Sequence, residues 1–103
     1  MGYHVHHNRA LLIFRHKDVY GNGEIVEMRA WEVPRSAAKP EGIKYSMVYV
    51  DASGRRILGY DNAEGKGHHR HFGDDESSLE FESLESLLLR FLDEVSRLRG
   101  RPQ

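Results

Sequence analysis

The residues best suited to chemistry are three histidines in the second half of the chain. Six of the seven histidines lie in two clusters, and the second cluster (His68, His69 and His71) follows a Gly-Lys-Gly loop and an Asp-Asn pair. On a β-strand, His69 and His71 share one face, while His68 and Arg70 share the other, because side chains alternate with a period of two. Since imidazole titrates at about pH 6.5, one ring can act as base and another as acid near neutrality. His69 and His71 are therefore the candidate catalytic residues.

RNA is a substrate that suits such a pair. Its 2′-hydroxyl can attack the adjacent phosphate, so a metal-free site needs only an acid, a base and cations for the developing charge. Lys66 and Arg70 are the candidate cations. Gly65 and Gly67 leave the backbone bare enough for its amides to approach a phosphate. These four residues are predicted to bind substrate.

An acid and an amide end the preceding predicted strand. Asp61 could orient the tautomer of a histidine, and we include it among the candidate catalytic residues. Asn62 could hold the loop by turn bonding, and we include it among the candidate substrate-binding residues. An Asp-Asn pair at a strand end is also a common turn former, so a purely structural role is the alternative.

Two other kinds of function remain open. His-x-His with a carboxylate from Asp61, Glu64 or Glu27 supplies ligands that zinc, manganese or iron accept, which would make the protein a metal-dependent hydrolase or transferase. The third hypothesis is a non-enzymatic protein-binding module, docked through the acidic stretch or the long helix. No metal ligand and no cofactor are assigned.

Aromatic residues could add base stacking to the site. The candidates are Trp31, Tyr45, Tyr49 and Tyr60. Packing in the core is favoured for most of them.

The elements that must position these residues are strands followed by one helix. Short apolar or alternating runs bounded by turn signals such as Asn22-Gly23 and Ser53-Gly54 indicate strands. They cover residues 10–20, 24–33, 44–51, 55–62 and 68–72. Residues 35–42, with a proline at Pro40, are predicted to be a mobile loop. The fold class is α+β: an antiparallel meander of four to five strands with a C-terminal amphipathic helix on one face.

The helix has the clearest pattern in the chain. Ser83 is a good N-cap, Glu85 suits the positive end of the helix dipole, Arg97 and Arg99 suit the negative end, and Gly100 can close the helix. Its apolar stripe is formed by Leu84, Leu87, Leu88, Phe91, Leu92, Val95 and Leu98.

Length and composition restrict the class of protein. The 103 residues favour one domain, 1–103, with a core at 10–99 and a poorly ordered or edge segment at 1–9. The net charge of −1 argues against sequence-blind binding to a polyanion. The charge is unevenly distributed along the chain. Residues 55–71 include four arginines and lysines and two acids, whereas residues 74–85 include six acids and no base. The lack of cysteine, a signal peptide and a long apolar run favours a cytoplasmic protein.

Five segments together resemble a known family. They are Trp31-Glu-Val-Pro34, Tyr45-Ser-Met-Val-Tyr49, Tyr60-Asp-Asn62, Gly65-Lys-Gly67 and His69-Arg-His71, and they are similar to the TumE toxins. The resemblance runs from about Leu12 to Leu92. It implies the toxin of a bacterial or archaeal toxin-antitoxin system and an antitoxin partner, expected to be a DNA-binding protein; a second copy of the chain is a further candidate partner. The function hypothesis is a metal-independent endoribonuclease.

Overall fold

The chain passes through six strands before it enters one helix. The computed structural model describes residues 10–63 and 67–100. In that part the elements are β1 (Leu11–Val19), β2 (Ile25–Glu32), β3 (Ile43–Val50), β4 (Arg56–Asp61), β5 (His69–Phe72), β6 (Asp75–Ser78) and α1 (Leu84–Gly100). The predicted start at 1–9 and the candidates Glu64, Gly65 and Lys66 lie outside the described residues.

The strands form one antiparallel sheet in the order β1-β2-β3-β4-β5-β6. The predicted α+β class, meander and C-terminal helix are confirmed. The predicted number of four to five strands is wrong, because β6 adds a sixth. Its sequence, Asp-Glu-Ser-Ser, has no apolar residue and all four residues are exposed, so only its backbone pairing with β5 makes it a strand.

The first hairpin forms at the predicted Asn-Gly signal. Gly23 has a φ of 93°, which favours glycine, and its N–H donates to the carbonyl of Tyr20 at 2.9 Å. The Asn22 side chain accepts from the Glu24 N–H at 3.0 Å. These bonds fix the register in which Val19 pairs with Ile25.

Alternation along the strands produces two chemically different faces. In β2 the alternating residues Val26, Met28 and Ala30 are buried, while the residues between them are partly exposed. We call the buried side the covered face, because α1 packs on it. The hydrophobic core comprises Val26, Met28, Ala30, Tyr45, Met47, Tyr49, Leu58, Tyr60, Leu79, Leu87, Phe91 and Val95.

The helix begins at its predicted cap and packs through most of its predicted apolar stripe, but Leu92 is 41 % exposed. Ser83 caps it by accepting from the Ser86 N–H at 3.0 Å, and Phe91 meets the Tyr60 ring edge-on at 5.0 Å between centroids. At the other end, Arg99 donates to Glu24 at 2.8 Å, which ties the helix to the first hairpin. The apolar stripe therefore covers one face of the sheet, and no described helix packs on the other.

We call the uncovered side the open face. Register partners in an antiparallel sheet project to the same side, so the pairing defines its members. The polar and aromatic residues of the open face are Arg15, Lys17, Glu27, Arg29, Trp31, Lys44, Ser46, Arg56, Asp61, His69, His71, Glu76 and Ser78.

Candidate functional site

The histidine segment is divided between the two faces of the sheet, as its alternation predicts. His69 and His71 lie on the open face with ring centroids 6.5 Å apart and an angle of 36° between the ring planes. Their side chains are 19 % and 18 % exposed, so each is largely enclosed yet reachable from solvent. We call these two residues the histidine pair.

Each ring of the histidine pair has its own carboxylate. Nε2 of His71 lies 3.3 Å from Oδ2 of Asp61, and Nδ1 of His69 lies 3.0 Å from Oε2 of Glu76. A carboxylate held against one imidazole nitrogen fixes the orientation and tautomer of the ring. In His71 this contact engages Nε2, so proton exchange with a ligand falls to Nδ1.

Asp61 is itself fixed by the sheet. It is the last residue of β4 and the register partner of His69 in β5, and its Oδ1 accepts from the Ala63 N–H at 3.3 Å. The same carboxylate thus closes the turn after β4 and holds His71. The two roles weighed from the sequence, turn former and histidine partner, are met by one side chain.

Arg70 lies on the covered face, away from the histidine pair. Its guanidinium contacts both oxygens of Glu94 in α1, with Nε donating to Oε1 at 2.9 Å, and the Tyr60 hydroxyl donates to the same Oε1. The hydrogen bond from Arg70 lowers the pKa of Glu94 against the opposing effect of burial, and the bond from Tyr60 adds to the lowering. The predicted substrate cation is therefore engaged in joining β5 to the helix.

His68 also has a structural environment. Its ring stacks on Phe81 at 4.6 Å and on Tyr45 at 5.7 Å between centroids. Nδ1 lies 2.9 Å from the Tyr45 hydroxyl, and Nε2 lies 3.1 Å from Oε2 of Glu41. An Nε2–H that donates to Oε2 of Glu41 and an Nδ1 that accepts from the Tyr45 hydroxyl use both ring nitrogens, whereas Oε1 of Glu41 is buried without a hydrogen-bond partner among the described residues. Burial raises the pKa of Tyr45, which keeps its hydroxyl protonated as that donor.

Asn62 is buried and holds two strands together. Its side chain accepts from the Tyr45 N–H at 3.0 Å and donates to the Ile43 carbonyl at 2.7 Å. Asn62 follows β4 in the chain, and its side chain bonds to the backbone at the start of β3 rather than to the histidine pair. Gly67, two residues before β5, has a φ of 86°, a conformation that favours glycine.

Arg56 is a cation near the histidine pair that the sequence did not single out. A register shift between Tyr49 and Val50 brings Arg56 onto the open face beside Gly59, the register partner of His71. Nε and Nη1 of Arg56 would lie 3.5 Å from a Cβ on Gly59, so the missing side chain makes room for the guanidinium. In the sequence, Gly59 indicates that a neighbouring side chain can approach the strand closely. The sequence does not show the bulge, so it does not indicate that Arg56 is that neighbour.

The described residues contain no group of three or more histidines and acids arranged to hold a metal ion. Each histidine of the pair instead faces a different carboxylate. Of the acids considered as metal ligands, Glu27 is bound to Arg15 at 3.2 Å, and Glu64 lies outside the described range.

The fold and the site together define a small α+β protein with two histidines on the open face of its sheet, each in contact with a carboxylate. Residues 2–99 match the sequence profile of the family described as toxin TumE. The chain therefore belongs to the TumE family, and it is the toxin component of a toxin-antitoxin system with an antitoxin as its partner. Neither a curated protein nor a solved structure matches the chain. The helix in the described part lacks the length and apolar character needed to cross a membrane.

Proposed function

We propose that this toxin is a metal-independent endoribonuclease whose general acid and general base are His69 and His71. The observation that carries the proposal is the geometry of the histidine pair. The two rings lie 6.5 Å apart on one face, and each has a carboxylate against one nitrogen. Hydrogen bonds of about 2.6–3.2 Å from each ring can reach different oxygens of one phosphodiester across that span.

The reaction needs no nucleophile from the protein. One histidine takes the proton of the RNA 2′-hydroxyl while the 2′-oxygen forms a bond to the adjacent phosphorus. The other histidine gives a proton to the 5′-oxygen as the P–O5′ bond breaks. The products are a 2′,3′-cyclic phosphate and a 5′-hydroxyl. Asp61 and Glu76 stabilise whichever ring becomes positively charged, in the manner of the acid in a catalytic triad.

Charge on the phosphorane needs a cation, and Arg56 is the described residue in position to supply it. Its guanidinium lies over Gly59 next to His71, and no described residue forms an ion pair with it. Arg70 is held by Glu94 on the covered face, so the proposal assigns Arg56 the role that the sequence suggested for Arg70. Lys66 remains a predicted second cation.

The direct experiment compares a bacterial host that expresses the parent protein with one that expresses a variant lacking the histidine pair. We expect growth arrest and RNA cleavage from the parent chain. The double variant His69→Ala/His71→Ala should lose both growth arrest and RNA cleavage. General acid catalysis and general base catalysis each contribute about 10²- to 10⁴-fold to the rate. His16→Ala is the matched control, since His16 lies 3.1 Å from Asp18 in another histidine-carboxylate pair far along the sheet. A folded double variant that still arrests growth would contradict the proposal.

The antitoxin partner is proposed to be a DNA-binding protein encoded beside the toxin. Co-expression of the neighbouring reading frame should restore growth, and the purified complex should bind its own promoter. Growth restored by a neighbour that does not bind DNA would remove the DNA-binding part of this proposal.

A further inference from the structure

The open face carries positive charge that the net charge of the chain conceals. Its three acids each contact a basic side chain: Glu27 contacts Arg15, Asp61 contacts His71 and Glu76 contacts His69. The five arginines and lysines of this face outnumber the acids even when both histidines are neutral. Its other cations are Lys17, Arg29, Lys44 and Arg56, and none of them forms an ion pair within residues 10–63 and 67–100. Positive groups left uncompensated on one side of a sheet are suited to a polyanion.

Among these cations lies the sole tryptophan of the chain. Trp31 is only partly buried, whereas Tyr45, Tyr49 and Tyr60 are in the core. Arg29 lies 5.5 Å and Lys44 lies 5.8 Å from the centroid of its ring. Both cations lie over the ring of the indole. A base that stacks on Trp31 takes the place of one of them, and the displaced cation can contact the adjoining phosphate.

This cluster is aligned with the histidine pair by the register of the sheet. Arg29 pairs with Ser46, Ser46 with Asp61 and Asp61 with His69, which forms one continuous row across four strands. Adjacent strands are separated by about 4.8 Å, so Arg29 and His69, at the two ends of that row, are about 14 Å apart. A short length of extended nucleic acid can therefore contact both ends.

We propose that Trp31, Lys44 and Arg29 form a base-stacking subsite for single-stranded RNA next to the histidine pair. The inference rests on the proposed ribonuclease function and adds how the substrate strand is held. Single-stranded RNA is the occupant because stacking on an indole needs a base whose flat side is exposed, which a duplex does not provide.

Tryptophan fluorescence of the intact protein tests the subsite without any substitution. The probe is a short 2′-O-methyl oligoribonucleotide, whose blocked 2′-oxygen prevents cleavage by the proposed reaction. Saturating oligonucleotide should quench Trp31, whereas an abasic oligomer of equal length and charge should not. Binding of the oligonucleotide with no change in fluorescence would overturn the proposal.

Affinity measured with a labelled form of the same oligonucleotide provides a second readout. Trp31→Ala should weaken binding by about 5- to 150-fold, the range for losing one stacked base. Lys44→Ala should reduce the slope of log K against log salt by about 0.7, as expected for one lost phosphate contact on a single strand. Arg97→Ala is the matched control, because this exposed arginine lies on the helix and should leave both quantities unchanged.

The outcomes separate the subsite from the proposed catalysis. Stacking on Trp31 in a protein that cuts no RNA would retain the subsite and remove the ribonuclease. Cleavage that is unchanged in Trp31→Ala, with oligonucleotide affinity within twofold of the parent, would remove the subsite alone. Fluorescence that responds to the antitoxin and not to RNA would identify the surface as a protein interface and overturn the proposal.

Discussion

The two faces of this sheet treat their polar residues in opposite ways. On the covered face, the side chains of Asn62, His68 and Arg70 each have defined partners in neighbouring elements. On the open face, Arg29 and Arg56 have no ion-pair partner in the described part of the chain. Buried polar groups must be satisfied within the fold, whereas a surface that meets a charged ligand retains unpaired charge.

The contrast is sharpest within the four residues from His68 to His71. Alternation places His68 against Tyr45 and Phe81 and Arg70 against Glu94 of α1, whereas His69 and His71 lie on the open face. Residue type therefore does not decide the role here. The face on which each residue lies decides it, and the following predictions test that division.

The largest effect is expected on the open face from Asp61→Asn. The amide retains the oxygen that accepts from the Ala63 N–H, but it no longer stabilises a positively charged His71. Cleavage should fall by up to about 10⁴-fold with little change in stability, as when a triad acid becomes an amide. RNA cleavage rates and urea unfolding measure the two quantities. Asp18→Asn, at the His16 pair, is the control and should change neither.

The second-largest loss of cleavage is expected from Arg56→Ala. Loss of one charge-stabilising group from a transition state costs about 10²-fold or more in rate, so cleavage should fall while the unfolding curve stays in place. Arg55→Ala is the matched control, because the neighbouring arginine lies at the exposed hairpin end. Equal losses of cleavage in the two variants would show that Arg56 acts only through general positive charge.

Arg70→Ala and Glu94→Ala should show the reverse pattern. Each breaks a charged hydrogen-bonded contact between β5 and α1, which should lower the free energy of unfolding by about 1.5–3 kcal/mol. Cleavage per folded molecule should be retained in both variants. If Arg70→Ala instead abolishes cleavage in a stable protein, Arg70 serves the substrate and the division of faces fails.

The smallest effect concerns pH. The hydrogen bond from Arg70 lowers the pKa of Glu94 below its ordinary value of 4.5. A depressed carboxylate pKa gives stability that is present above the unfolded value and is lost as the pH falls through the folded one. The difference in unfolding free energy between the parent and Glu94→Gln should be constant near neutral pH and shrink below about pH 4.5. A difference that grows in acid would contradict this linkage.

Much of the fold could be predicted from local pattern. The alternation of β2, the Asn22-Gly23 turn and the apolar stripe of α1 each follow from short-range preferences, and all three are present. β6 could not be predicted, because its four polar residues have no intrinsic strand preference and depend on β5 for pairing. Edge strands of this kind are specified by their neighbours.

The candidate site was predictable only in part. Spacing placed His69 and His71 on one face, and the choice of Asp61 as their partner matches its contact with His71. The choice of Glu76 and Arg56 needed three-dimensional information. Glu76 approaches through the pairing of β5 with β6, and Arg56 through a bulge whose position the sequence does not show.

The chemistry of the RNA ends tests the central claim most directly. Purified toxin should cut RNA in the presence of a chelator, leaving 2′,3′-cyclic phosphate and 5′-hydroxyl ends, and a 2′-deoxy substitution at the cleaved position should block the cut. Cleavage that stops with chelator and returns with a divalent metal, or that leaves 3′-hydroxyl and 5′-phosphate ends, would contradict the account and favour a metal-dependent hydrolase.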